Sequence, residues 1–486
     1  MARSVREQHH TVRRIPFVGS DKLIYAIDGI SPFMLHLIME LHGPLDVLRL
    51  TEAIERALEA TPVLKSRAQL RWIRPYWEVI EDFAPETILT VRDYSSGKED
   101  QAAIRSLIGA FLNETIDITS SAPTRFLLIR LSDVRWVFVV KIHHSPLDAA
   151  GLFIFVNDIK TYYERLCRGE TVRPLVSMGE RSRRPLFRRV TLSLWRRAAW
   201  AALRRALSDR PSRPRRFIAF SAPAPEPGIS YRSVVFEGED YAAFRARCKS
   251  LGVTGQELIM AALCRTIHRW NGASGRGDGV YSIIMPVDLR RYARRGGRIP
   301  RIMASFVGGT RVTIPAVAAE TLEGALARIV EDVRYIRTHH LALIPNVIFP
   351  LLVFVPSRWL RWAARRTYRR HPERLIPTAV VTNVGRVDRI LSSSPTFSIR
   401  AMEGVGTAYV PAGLFVAPLS FGRRQTITIT YRKDACSEEE MASFVELFVE
   451  ELLPSRRTRR ARPGVLSSIP EERRRRDLDH VCLGEE

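Results

Sequence analysis

The sequence predicts an α/β (α+β) protein of two domains with a loosely repeated order of elements. Its 486 residues exceed what one hydrophobic core takes, and 46% apolar with 26% charged residues is the balance of a folded protein. Short apolar runs of strand character alternate with segments of helical period along the chain. The strand-then-helix order of residues 33–60 returns after residue 231, a loose internal duplication without visible sequence identity.

Residues 1–15 are polar and basic, lack the apolar stretch of a secretory signal, and read as a flexible N-terminus. The N-terminal lobe is expected over 16–180. Phe33 to Leu41 reads as a strand, Gly43-Pro44 as a break, and the segment up to Ala60 as a helix with Val47, Leu50, Ile54, Ala57 and Leu58 on one face. Trp72 and Pro75-Tyr76-Trp77-Glu78 mark a further strand region. Thr124 to Leu131 and Val134 to Ile142 form a hairpin about Ser132-Asp133. In its second strand Trp136, Phe138, Val140 and Ile142 share one side, so continued alternation aims His143 and His144 in opposite directions. A helix from Ala150 to Leu166 follows, with Leu152, Phe155, Val156, Ile159 and Tyr163 inward and Asp148 at its N-cap.

Residues 181–228 read as an interdomain connection. Arg181 to Arg216 holds thirteen arginines against one acid, Asp209, which is half of the net charge of +24. Within it, Arg188 to Leu207 has helical period, with Leu192, Trp195, Ala199, Ala202, Leu203 and Ala206 on one arc and Arg189, Arg196, Arg197 and Arg204 on another. Such a helix suits packing on its own protein or lying on an anionic membrane surface, and the charge also suits an acidic carrier protein.

The C-terminal lobe is expected over 229–454. A strand (Tyr231 to Phe236) and a helix (Tyr241 to Leu251) precede Thr254-Gly255-Gln256-Glu257, a capping box that opens a helix with Ile259, Ala262, Leu263, Ile267 and Trp270 inward. Val280 to Val287 is the next strand. Leu341 to Pro356 is a sixteen-residue apolar run broken by Asn346 and three prolines. A ~30 Å hydrocarbon core takes about 20 residues, so this run suits burial, interface contact or a lipid-accepting groove instead of a span. Thr426 to Tyr431 alternates as a half-buried strand, and Ser437-Glu438-Glu439-Glu440 caps a last helix. The tail, 455–486, is basic and reads as disordered.

Two histidines and an acid at a strand-to-helix junction, His143, His144 and Asp148, are the candidate chemistry: an imidazole titrating near pH ~6.5 takes a proton from a hydroxyl or amine without further tuning. The five scattered cysteines contain no CxxC pair and fit a reducing, cytoplasmic setting. No cluster has metal-ligand spacing, no GxSxG elbow is present, and no aromatic-basic module marks specific nucleic-acid binding.

His143-His144-Ser145-Pro146-Leu147-Asp148-Ala149 resembles the HHxxxDG motif of the chloramphenicol-acetyltransferase-like superfamily, with Ala149 in place of the usual glycine. That group includes the condensation domains of peptide synthetases and the wax ester synthase/diacylglycerol acyltransferases. Pro286-Val287-Asp288-Leu289-Arg290 is similar to its Pro-Val-x-x-Arg sequence, Ser305 to Gly309 to the segment lining its channel, and Thr382-Asn383-Val384-Gly385 to its Ser/Thr-Asn-x-Gly element. The resemblance covers residues 15–455 and implies two acetyltransferase-like lobes, each a mixed β-sheet flanked by helices, with a channel between them. It implies His144 as the general base, His143 in support, Asp148 paired with Arg290 across the lobes, and Ser305, Thr382, Asn383 and Gly385 along the channel. By themselves the last three are more often a turn-forming Asn-x-Gly and its neighbour.

The implied activity is thioester-dependent acyl transfer, from acyl-CoA to a hydroxyl of a hydrophobic or lipid acceptor, with no permanently bound cofactor. A second reading is a condensation enzyme taking its donor from an acyl-carrier protein and forming an amide or ester; a third is a degenerate member that only binds. The same residues also satisfy the HxxxxD spacing of lysophospholipid-type acyltransferases, in which His143 would be the base and Asp148 its orienter, with Gly309-Thr310-Arg311 as a partial second motif. The expected location is the cytoplasm, peripheral to the inner face of the membrane if Arg181 to Arg216 binds lipid.

Overall fold

The computed structural model describes residues 14–454 apart from 73, 96–100, 209–213, 222–226, 273–278, 295, 297–298, 392–393 and 410–412. The expected tail at 455–486, Cys482 and residues 1–13 lie outside the described residues.

The alternation of 34–42 and 135–143 makes these the paired centre of a five-stranded sheet, antiparallel with Met34 opposite His143. Its order is Ser398–Val405, Met34–His42, Arg135–His143, Thr124–Arg130, Leu89–Asp93. The C-terminal lobe has a six-stranded sheet in the order Val307–Pro315, Val280–Asp288, Ala379–Val381, Leu414–Phe421, Arg424–Arg432, Ile229–Glu237. A small third sheet holds Arg14–Pro16, Tyr76–Val79 and Ser66–Gln69. Helices Val47–Ala60 and Ala149–Cys167 lie together on the first large sheet; Gly255–Asn271, Leu322–Thr338 and Glu438–Leu452 cover the second. Both capping boxes form: Glu257 N donates to Thr254 Oγ1 at 3.3 Å and Glu440 N to Ser437 Oγ at 3.1 Å. The four described cysteines are unpaired, and no described helix is long and apolar enough to cross a membrane.

Four expectations change. The N-terminus is not loose from residue 14 onward: Arg14–Pro16 pairs with Tyr76–Val79, and Gly19–Asp28 is a helix. The lobes are not divided at a linker, because Ser398–Val405, deep in the C-terminal half, forms the edge of the first sheet against Met34–His42. That crossing strand explains the third change. The threonines opposite Ile427, Ile429 and Tyr431 are also buried (Thr428 and Thr430 at 0%), since their face meets the crossing strand instead of water; Gly406 N donates to Thr430 Oγ1 at 3.4 Å.

The fourth change is in the arginine-rich helix, which packs on its own protein but with a different arc inward. In the helix Leu192–Ser208 the inward arc centres on Ala198 and Ala201, with Leu194 and Trp195 against a cluster of Leu289, Ile302 and Phe306. Small residues let the helix approach closely, and Arg205 pairs with Asp332 at 3.0 Å. Leu192 and Leu203, expected inward, are 74% and 50% exposed. The run 341–356 divides likewise: Leu341 to Leu343 and Asn346 are buried, while Val347, Ile348, Leu351 and Phe354 are exposed.

One pair inside the first sheet sets a pH dependence. His36 stands opposite Lys141 and is 2% exposed. Burial, then the neighbouring ammonium, push its imidazole down to about 3. The unfolded chain takes up that proton near pH ~6.5, so this part of the stability is present above 6.5 and is lost as pH falls toward the folded value. At ~1.4 kcal/mol per pH unit the loss is about 2 kcal/mol by pH 5. Urea midpoints at pH 7 and pH 5 measure it, and His36→Gln is expected to flatten the difference. Equal slopes in both proteins would assign the acid sensitivity to other groups.

Candidate functional site

The strand Arg135–His143 delivers the two histidines to the end of the first sheet, and the turn 144–148 hands the chain to the helix Ala149–Cys167. The histidines enter different surroundings, as the alternation requires. His143 is 1% exposed and engaged at both ring nitrogens: Nδ1 accepts from Ser145 N at 3.1 Å, which leaves the proton on Nε2, 3.3 Å from Asp28 Oδ1. Asp28 also accepts from Phe33 N at 3.0 Å. Burial alone would raise its carboxyl, but His143, the Phe33 N–H and Arg361 outweigh burial and hold it below the usual range.

His144 packs its ring against Phe33, centroids 5.0 Å apart, and is half-buried. Its Nδ1 is enclosed without a hydrogen-bond partner, which points the open side of the ring toward Nε2. Burial pushes the imidazole below its ordinary value; the backbone carbonyls of His144 and Leu147 and the charge of Asp148 oppose this only in part. A histidine so placed is neutral at physiological pH and able to accept a proton.

Asp148 has both of the roles available to it. Its Oδ1 caps the helix by accepting from Gly151 N at 2.9 Å, and Oδ2 accepts from Phe306 N at 2.8 Å. Both oxygens bind Arg290, each at 2.9 Å, with the two side chains 2% exposed. Arg290 further donates to the carbonyls of Ile302 and Ala304 and to Asp288. Burial favours a protonated Asp148, yet the guanidinium and the N–H donors overcome it and keep the carboxyl below its ordinary value. Asp148 is thereby occupied and does not orient His143, so the HxxxxD arrangement is not formed; Gly309-Thr310-Arg311 lies within the strand Val307–Pro315. Ala149 is the first helical residue and has no positive φ, so the missing glycine leaves the turn unstrained.

Of the other residues, Ser305 is 3% exposed and its carbonyl accepts from Arg183 Nη2 at 2.7 Å. Thr382 follows the strand Ala379–Val381 and donates its N–H to Val416 at 3.0 Å. Asn383 is exposed and accepts from Gly385 N at 2.7 Å, with Gly385 at φ +83°: a turn that glycine favours. Among the described residues no group of three or more His, Cys, Asp or Glu could hold a metal.

A second buried pair supports the motif from behind. Asp21 is 0% exposed, binds Arg181 Nη2 at 2.9 Å and Trp77 Nε1 at 2.9 Å, while the same Arg181 nitrogen reaches the Pro146 carbonyl at 3.2 Å. Burial wins at Asp21 and raises its carboxyl despite Arg181. Arg183 is 6% exposed, stacked between the Phe306 and Phe349 rings at 4.7 and 4.9 Å. Burial lowers it to about 10. Sequence reasoning missed this group because Asp21 belongs to no motif or periodic run and both arginines fall among eleven others; the only local signal is Val18-Gly19-Ser20-Asp21, whose spacing fits a helix start.

Two lobes with a shared crossing strand, a histidine pair at a sheet end and an aspartate tied to an arginine of the other lobe define a class of fold: that of the condensation domains, built on the chloramphenicol-acetyltransferase-like plan. Residues 28–177 match the condensation domain family. Among solved structures, the first condensation domain of the calcium-dependent antibiotic synthetase, in complex with a substrate analogue, is 14% identical with a TM-score of 0.67, over 92% of this chain and 97% of that one. The starter condensation domain of rhizomide synthetase, in complex with C8-CoA, has a TM-score of 0.61 at 14% identity, over 94% and 98%. In sequence, a nonribosomal peptide synthetase of Penicillium thymicola is 24% identical over 266 residues. The match takes in 52% of this chain and 9% of that protein, so the chain spans a small fraction of its curated relative.

Proposed function

We propose that the chain transfers an acyl group from a thioester to an amine or hydroxyl, with His144 as general base. The observation that carries this is a half-open, neutral imidazole with one enclosed nitrogen, beside an aspartate already committed to structure. The acceptor X–H attacks the thioester carbonyl carbon while His144 Nε2 takes its proton. The tetrahedral intermediate collapses, the C–S bond breaks, and the imidazolium returns the proton to the departing sulfur. General-base action of this kind contributes ~10²–10⁴-fold. His143, held by Asp28 and Ser145, orients the turn; Asp148 and Arg290 tie the lobes; Ser305, Thr382, Asn383 and Gly385 remain candidates for the channel wall.

A carrier-protein-bound donor is favoured by the condensation-domain likeness and the net charge of +24, which complements an acidic carrier. The C8-CoA complex of the rhizomide domain supports acyl-CoA as the second donor; an ester of a hydrophobic or lipid acceptor is the product that goes with that reading. Radiolabelled acyl-carrier protein and acyl-CoA, offered separately with amine and alcohol acceptors, decide between them: label is expected to move from carrier. Transfer from neither, with His144 intact and the chain folded, would leave a binding protein.

A further inference from the structure

Arg183 is the buried arginine of this region with no direct ion pair among the described residues, although the charges of Asp148 and Asp21 act on it from a distance. Arg181 is paired with Asp21 and Arg290 with Asp148, whereas Arg183 has no salt bridge among the described residues. Its Nη2 is taken by the Ser305 carbonyl at 2.7 Å, and its Nη1 is enclosed with no partner. The Ser20 hydroxyl is likewise enclosed without a partner at 3% exposure. Both side chains line one cleft of about 510 Å³, walled on its other side by Val347, Phe349 and Phe354. A buried guanidinium with an unmade bond is strongly unfavourable unless an anion completes it.

The cleft is a built site. Lys22 donates to the carbonyls of Val353 and Val355 at 2.5 and 2.9 Å, which fastens the far wall to the helix Gly19–Asp28. Gly19 permits the approach, since a Cβ there would lie 1.8 Å from the Phe349 carbonyl oxygen. The N-terminus of that ten-residue helix faces the same space and favours negative charge. Through Asp21 and Arg181 the cleft abuts the 145–148 turn.

We propose that this cleft binds the carboxylate of one of the two substrates, one oxygen on Arg183 Nη1 and the other on the Ser20 hydroxyl, with an apolar chain along Val347, Phe349 and Phe354. The two N–H of Arg183 Nη1 and the Ser20 hydroxyl suit a planar monoanion; a phosphate dianion would bring two charges to a single guanidinium. The inference rests on the acyl-transfer reading and adds that a substrate is acidic.

Calorimetric titration of the full chain with hexanoate, hexyl phosphate and hexan-1-ol tests it. Hexanoate is expected to bind at least tenfold more tightly than the alcohol, and Arg183→Met to remove that preference. Equal binding of acid and alcohol, or an unchanged preference in the variant, overturns the proposal; tighter binding of hexyl phosphate overturns the carboxylate assignment. Val347→Glu keeps the test decisive if Arg183→Met does not fold: at this 44%-exposed wall position the new carboxylate competes for Arg183, and undiminished hexanoate binding sinks the idea. Titration is read without turnover. Carboxylate binding without acyl transfer overturns the enzyme reading alone, and acyl transfer without carboxylate preference overturns the cleft alone.

Discussion

His144→Ala is expected to lower turnover by about 10²–10⁴-fold while the chain stays folded. The rate falls because no other group takes the acceptor proton: His143 is bonded at both nitrogens and Asp148 is spent on Arg290, Gly151 and Phe306. Stability changes little, about 1 kcal/mol, because the Nδ1 being removed has no partner to orphan. The acid limb of kcat/KM carries the same signature. Burial lowers the His144 imidazole, so the neutral, accepting form persists below the ordinary 6.5 and activity is lost only as pH falls through the lower folded value. Single-turnover rates, the melting temperature and the pH profile together measure this. Wild-type turnover in the alanine variant would move the base elsewhere, and a limb above 6.5 would contradict the enclosed ring.

Arg290→Met is expected to cost about 3–5 kcal/mol of stability and to slow turnover. The variant strips both oxygens of Asp148 of their cation and leaves a carboxylate that is 2% exposed with only two backbone donors. The carbonyls of Ile302 and Ala304 lose their donor as well. Asp148→Asn tests the pair from the other side, and the double variant is expected to lose less than the sum of the two, since each single change orphans what the other removes. The folded Asp148 carboxyl lies below its ordinary 3.8, so the contribution is complete at neutral pH and fades only as pH falls below that value. Urea midpoints of the three variants at pH 7 provide the cycle; additive losses would show that the two side chains do not act as a pair.

The parts that were legible are those written in near neighbours. Alternation over 135–143 named the strand, its parity separated His143 from His144, and the turn into Leu152 and Phe155 placed Asp148 at a cap. Arg290 was legible only through the family resemblance, since 142 positions separate it from Asp148. Nothing in the local pattern distinguishes Arg181 and Arg183 from the eleven arginines that follow, although they are buried beside the motif. The crossing strand Ser398–Val405 was equally silent, and with it the burial of Thr428 and Thr430.

Periodicity therefore determined the element types, the histidine pair and the cap, because hydrophobic spacing and capping depend on residues within a turn or two of each other. Tertiary structure alone decided which arginine meets which aspartate, which helix arc faces inward and which guanidinium is left without a direct ion pair. Those choices follow from desolvation: a charge taken out of water is tolerated only where the fold brings a counter-charge or donor to it, and the fold draws that partner from anywhere in the chain.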